Sequence, residues 1–139
     1  MQITRQADYA LRTMLFLARL EPSTQAPTHR IAEEMQIPKS FLAKIISQLS
    51  VASLINTVRG AKGGVCLTRN TDEISVYEVV VSIDGPMHLN ECTFDPHTCP
   101  FGETCPIHQV WCETEKILVE KLKNTSLTEL LQREAQKPS

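Results

Sequence analysis

Between residues 6 and 20 the apolar positions Ala10, Leu11, Met14, Leu15 and Ala18 recur at helical spacing, with Thr4 placed to cap them. This predicts a first helix. The loop from Glu21 to Pro27 is rich in turn formers, and Thr28 stands in cap position before a short helix over residues 29–36. Ile31, Ala32 and Met35 form its inward face. Pro38 ends that helix, and the next starts at Pro38 or Ser40, running to about residue 49 with Phe41, Leu42, Ile45, Ile46 and Leu49 on one face. Two helices across a tight break, the second carrying Lys39, Ser40 and Lys44, read as a helix-turn-helix.

The period then changes. Residues 54–59 and 64–68 are β-rich and flank Gly60, Ala61, Lys62 and Gly63, the expected tip of a hairpin. A hairpin directly after a helix-turn-helix is a wing. Its tip is basic and glycine-rich, which predicts close backbone approach to a phosphate or a minor groove. Ser75 caps a further helix over about residues 76–83, stopped by Asp84, Gly85 and Pro86. Residues 87–104 follow no period. A long helix is expected over about residues 106–123, striped by Ile107, Val110, Trp111, Ile117, Leu118 and Leu122, and a short one over about 127–134. The fold class is thus mainly α with a small β-hairpin wing. The chain divides into a winged helix-turn-helix over 1–84, a cysteine-bearing loop over 85–105, and a dimerisation helix with a C-terminal segment over 106–139. The long stripe wants a partner surface, which a symmetric homodimer supplies; packing back on its own domain is the alternative.

Charge changes this picture in one respect. The formal net charge of −2 argues against a DNA binder until the halves are separated. Residues 1–69 hold nine Lys/Arg against four Asp/Glu, whereas residues 70–139 hold five against twelve. Positive charge therefore accompanies the helix-turn-helix, as double-stranded operator DNA requires. There is no apolar run of membrane-spanning length and no apolar leader behind Met1, so a cytoplasmic protein is expected. In that reducing compartment five cysteines point to metal or redox chemistry before disulfides. No CxxC, catalytic-triad spacing or phosphate-binding loop is present, so an enzyme such as a thiol oxidoreductase is not expected.

Cys92, Cys99, Cys105 and His108 fall within 17 residues. Gaps of six and five residues, bent by Pro96, Pro100 and Pro106, suit a wide looped cage rather than a tight zinc knuckle. Three thiolates and an imidazole serve an iron–sulfur cluster or a tetrahedral zinc ion, and composition alone leaves both open. Cys66, in the wing, and Cys112, one turn past His108, are read as non-ligands.

With these residues in hand, the chain resembles the Rrf-two family of winged-helix repressors, the IscR-, NsrR- and RirA-like regulators. Residues 3–12 match the family's first helix, residues 31–33 and 37–42 its helix-turn-helix, and Val58 to Gly64 its wing. Cys92, Cys99 and the run from Cys105 to Trp111 fall where cluster-bearing members carry ligands. The resemblance implies a homodimer that crosses its long helices and reads operator DNA with Lys39, Ser40, Phe41 and Lys44 on the recognition helix and Arg59, Gly60 and Lys62 on the wing. It also implies three cysteine ligands with a variable fourth. That fourth is a histidine like His108 in 2Fe–2S members, the favoured form here, or an N-terminal aspartate like Asp8 of the partner subunit in 4Fe–4S members. As a first-turn acid, Asp8 is also explained by the helix dipole. The first cysteine gap is one residue longer than in many relatives, and Ala43 replaces an acidic side chain by which IscR-like members select DNA sites.

Overall fold

The computed structural model describes residues 2–137. Helix α1 (Arg5–Ala18) is capped as its sequence predicts, the Thr4 hydroxyl accepting from the Ala7 N–H at 3.1 Å. It buries Ala7, Tyr9, Ala10, Thr13, Met14, Phe16, Leu17 and Ala18, a broader stripe than the pattern suggests. Helix α2 (Thr28–Met35) starts one residue early. Thr28 is its first helical residue rather than its cap, and Pro27 occupies the cap position without a side-chain bond. Gln36 ends it in the left-handed region at φ 53°. Buried Ile37 and then Pro38 complete the turn into α3 (Lys39–Val51). Leu42, Ile45, Ile46 and Leu49 point inward as expected, but Phe41 is 41% exposed. At the helix's first turn it lies over the edge of the core, leaning on α1.

The wing is β1 (Ile55–Val58) paired antiparallel with β2 (Gly64–Leu67), from Ile55 opposite Leu67 to Val58 opposite Gly64. It meets the core through the base of β1 and along β2: Leu54, Ile55 and Val65 are buried, while residues 56–62 are exposed. Behind β2, Ala26 and Val65 exchange both backbone hydrogen bonds at 2.9 Å. A Cβ on Gly64 would stand 2.3 Å from the Ala26 carbonyl oxygen, and one on Gly63 2.1 Å from that of Val58. Neither position has room for a side chain. Gly60, at φ 113°, has open space around its Cβ position.

Helix α4 (Val76–Asp84) opens on a reciprocal capping box between Ser75 and Glu78, and Arg69 also pairs with Glu78 at 3.0 Å. The stretch expected to be irregular contains a single helical turn, α5 (Glu91–Phe94), and tight turns at Pro96–Thr98 and Gly102–Thr104. Helix α6 (Pro106–Lys123) keeps its predicted bounds but buries no residue fully. Its stripe is divided. Leu118 and Leu122, with Val119, pack on a small cluster of Ala7, Val76, Val80 and Met87. Ile107, Val110, Trp111 and Ile117 remain 38–69% exposed. Helix α7 (Leu127–Gln136) returns to the main core, where Leu127 is fully buried among residues of α1, α3 and the wing, and Arg19 pairs with Glu134. Each such apolar side chain removed from water contributes about 1.5–3 kcal/mol.

Candidate functional site

Lys39, Ser40, Phe41 and Lys44 on α3, and Arg59, Gly60 and Lys62 at the wing tip, are all exposed. Among the described residues, ion pairs engage Arg12, Arg19, Arg30, Arg69, Arg133 and His88 but none of Lys39, Lys44, Arg59 or Lys62. Among the described residues these four cations therefore stand without a carboxylate partner. The α3 cap position is held by Pro38 without a side-chain bond, so the first-turn N–H groups are not taken by a capping oxygen, an arrangement that favours phosphate.

A brace behind this surface escaped the sequence reading. The Tyr9 and Phe41 rings lie 6.0 Å apart and tilted, Arg12 stacks 5.5 Å from the Tyr9 ring, and its guanidinium donates to the Met35 carbonyl at 3.4 Å. One face of α1 therefore holds the end of α2 and the start of α3. The three-residue separation of Tyr9 and Arg12 puts them on one helix face, but nothing in the sequence names their partners. Asp8 pairs with Arg12 at 3.2 Å along the same helix and is not among the residues lining the cysteine hollow of its own chain.

Cys92 on α5, Cys99 after the first tight turn, Cys105 at the cap of α6 and His108 in its first turn line one hollow of about 370 Å³. Pro100, Phe101, Ile107 and Trp111 supply its apolar wall. Among the described residues, no group of three or more His, Cys, Asp or Glu side chains is drawn tightly enough to hold a metal ion. The hollow nonetheless gathers soft donors beside apolar rings, so the residues suit an iron–sulfur cluster in kind and in neighbourhood. Cys66 stands apart, on the wing strand opposite Asn56.

Two further residues at this end came without a sequence signal. Glu115, its side chain 17% exposed, accepts the Leu89 N–H at 2.9 Å and faces His88 Nδ1 at 3.3 Å. His88 in turn meets the Phe94 ring edge-on at 5.2 Å. The limb that carries Cys92 is thereby tied to the helix that carries His108. On that helix the Cys112 sulfur lies 3.4 Å from His108 Nε2. Packing around the sulfur, then the charges of Glu115, Cys92, Glu103 and Glu113, push the Cys112 thiol above its ordinary range.

The model of the Rrf2 family, described as an iron-dependent transcriptional regulator, matches residues 3–133. The regulator IscR of Sodalis glossinidius is 31% identical over 134 residues, which span 96% of this chain and 81% of that protein. Among solved structures, the global cysteine regulator CymR of B. subtilis superposes with a TM-score of 0.82 at 24% identity, covering 96% of this chain and 98% of that one. IscR of T. potens superposes with a TM-score of 0.78 at 23% identity, covering 100% and 93%. These likenesses run through the helix-turn-helix, the wing and the cysteine loop, and the chain belongs to the Rrf2 family of winged-helix transcriptional regulators.

Proposed function

We propose that this regulator acts as a homodimeric repressor whose affinity for operator DNA is set by an iron–sulfur cluster held by Cys92, Cys99, Cys105 and His108. The observation that carries the reading is the shared hollow: four soft donors from three separate bends and one helix line a single cavity. A fourth ligand from the same chain supports the two-iron form, with Asp8 of the partner subunit the alternative. When bound, the cluster supplies a redox state and a chemical lability that respond to the cell. The chain's own residues do the rest. Glu115 ties the Cys92 limb to α6, and α6 packs through Leu118, Val119 and Leu122 on residues of α1 and α4. The exposed Ile107, Val110, Trp111 and Ile117 are the surface for the second subunit. A two-fold dimer sets two recognition helices roughly 34 Å apart, one turn of DNA. A shift of α6 alters that spacing, and tenfold in affinity requires only about 1.4 kcal/mol of difference between the two states. Lys39, Ser40, Phe41 and Lys44 with Arg59, Gly60 and Lys62 make the DNA contacts, in a cytoplasmic protein without catalytic activity.

The test is an absorption spectrum of anaerobically purified protein, with iron, sulfide and zinc assayed on the same sample and operator affinity measured before and after cluster removal. Thiolate-to-iron absorption with equal iron and sulfide, and an affinity that changes on removal, is the expected result. Colourless protein with stoichiometric zinc and no reconstitution would replace the cluster with a zinc or thiol site on the same winged-helix scaffold.

A further inference from the structure

Cys112 belongs to no expected ligand set, and its position makes that omission doubtful on physical grounds. Residues four apart on a helix share a face, and the Cys112 sulfur reaches within 3.4 Å of His108 Nε2. Donors bound to one tetrahedral metal at about 2.0–2.3 Å are themselves about 3.5 Å apart. His108 and Cys112 already stand at that separation. Cys112 is exposed and follows the lining residues His108 and Trp111 along α6, without itself lining the hollow. A change of its χ1 swings the sulfur between staggered positions about 3 Å apart, comparable to the distance that divides it from the imidazole. Helix α6 buries no residue, and Cys112 itself is exposed.

Resting on the cluster reading above, we infer that Cys112 is an alternative fourth ligand, exchanging with His108 at one iron so that the centre has an imidazole-bound and an all-cysteine form. The exchange balances simply. The Cys112 S–H gives its proton to water as the sulfur–iron bond forms, and the imidazole–iron bond breaks to leave neutral His108, with no electron transferred. Replacing a neutral imidazole by a thiolate adds one negative charge at the centre and lowers its reduction potential. The pair would thus set the potential by ligand choice, independently of the three constant cysteines.

Reconstituted wild-type protein, His108→Ala, His108→Ala/Cys112→Ser and His108→Ala/Asp8→Ala separate the possibilities. Iron and sulfide per chain, the reduction potential and the alkylation of Cys112 read by mass spectrometry are measured on each, after circular dichroism of the apo forms confirms folding. The expected result is that His108→Ala keeps its cluster, at a lower potential than wild type and with Cys112 shielded from alkylation. Adding Asp8→Ala leaves this unchanged, whereas adding Cys112→Ser drops iron and sulfide to the apo level. A His108→Ala protein without cluster, or one whose cluster survives Cys112→Ser, overturns the inference. Loss on adding Asp8→Ala but not Cys112→Ser assigns the role to the aspartate and also overturns it. Wild-type protein that takes up no cluster sinks the cluster reading itself, and does so before any variant is compared.

Discussion

Gly64→Ala asks whether the wing is braced from behind by the loop at Ala26. The added Cβ lands 2.3 Å from the Ala26 oxygen, 2.6 Å from its carbonyl carbon and 3.0 Å from the Pro27 nitrogen. All three are backbone atoms, so no side-chain rotation relieves the overlap. The Ala26–Val65 bridge must part, and its two 2.9 Å hydrogen bonds are lost with it. Ala26 is 0% and Val65 1% exposed, so water cannot replace those partners without further opening. A backbone hydrogen bond contributes about 1 kcal/mol net, and a buried group left unpaired costs about 1–3 kcal/mol. The variant should therefore lose about 2–5 kcal/mol, a large part of a typical total of about 5–15 kcal/mol. Gly60→Ala is the comparison: its Cβ meets nothing, and only the positive φ of 113° opposes it, at about 1–2 kcal/mol. Urea unfolding of both variants at one fixed protein concentration reads the difference. A Gly64→Ala loss no larger than that of Gly60→Ala would show that Ala26 does not hold the wing.

Glu115→Ala removes the acceptor of the Leu89 N–H and the partner of His88, so the limb carrying Cys92 should loosen by about 1–3 kcal/mol. Faster amide exchange at Leu89, with exchange in α3 unchanged, is the expected outcome; unchanged protection at Leu89 contradicts the tie. Lys44→Ala and Lys62→Ala should each weaken operator binding across all sequences and reduce the slope of log affinity against log salt by about 0.9. Anisotropy titrations over a range of salt check this, and an unchanged slope removes that lysine from the phosphate contacts.

The elements were legible because each has a local cause. The Thr4 cap, the Ser75–Glu78 box, Pro38 and the change from helical to alternating period all act within a few residues, and the bounds of α6 come from Pro106 at one end and the polar turn before Ser126 at the other. What the sequence hid was long-range. Phe41 continues the apolar period of α3, yet it leans on Tyr9 of α1 at the surface, a choice made by how two helices cross. Six apolar residues of α6 look alike along the chain, but only its later part meets a core cluster, through Leu118 and Leu122 with Val119, since α4 and Met87 extend no further. Gly63 looks like a tip residue and Gly64 like the start of a strand, and only the distant Ala26 carbonyl explains why the second is glycine. At the candidate site the three cysteines and the histidine that share the hollow were marked by their spacing. Glu115 was not, because a single glutamate on a charged helix face carries no mark of the backbone N–H it holds 26 residues away.

The return of α7 has a consequence for what can be cut from this protein. Val76 N–H donates to the Thr125 carbonyl at 2.8 Å and Leu127 N–H to that of Ile74 at 2.9 Å, so the chain closes on itself at the foot of α4. Everything from α5 through α6 is then an excursion that leaves and re-enters the same body. A fragment ending after α4 would lack Leu127, Leu130 and Leu131, and with them one wall of the core under α1. The helix-turn-helix and wing are completed only by residues made after the cysteine loop, so this core cannot close until the ribosome has passed that loop.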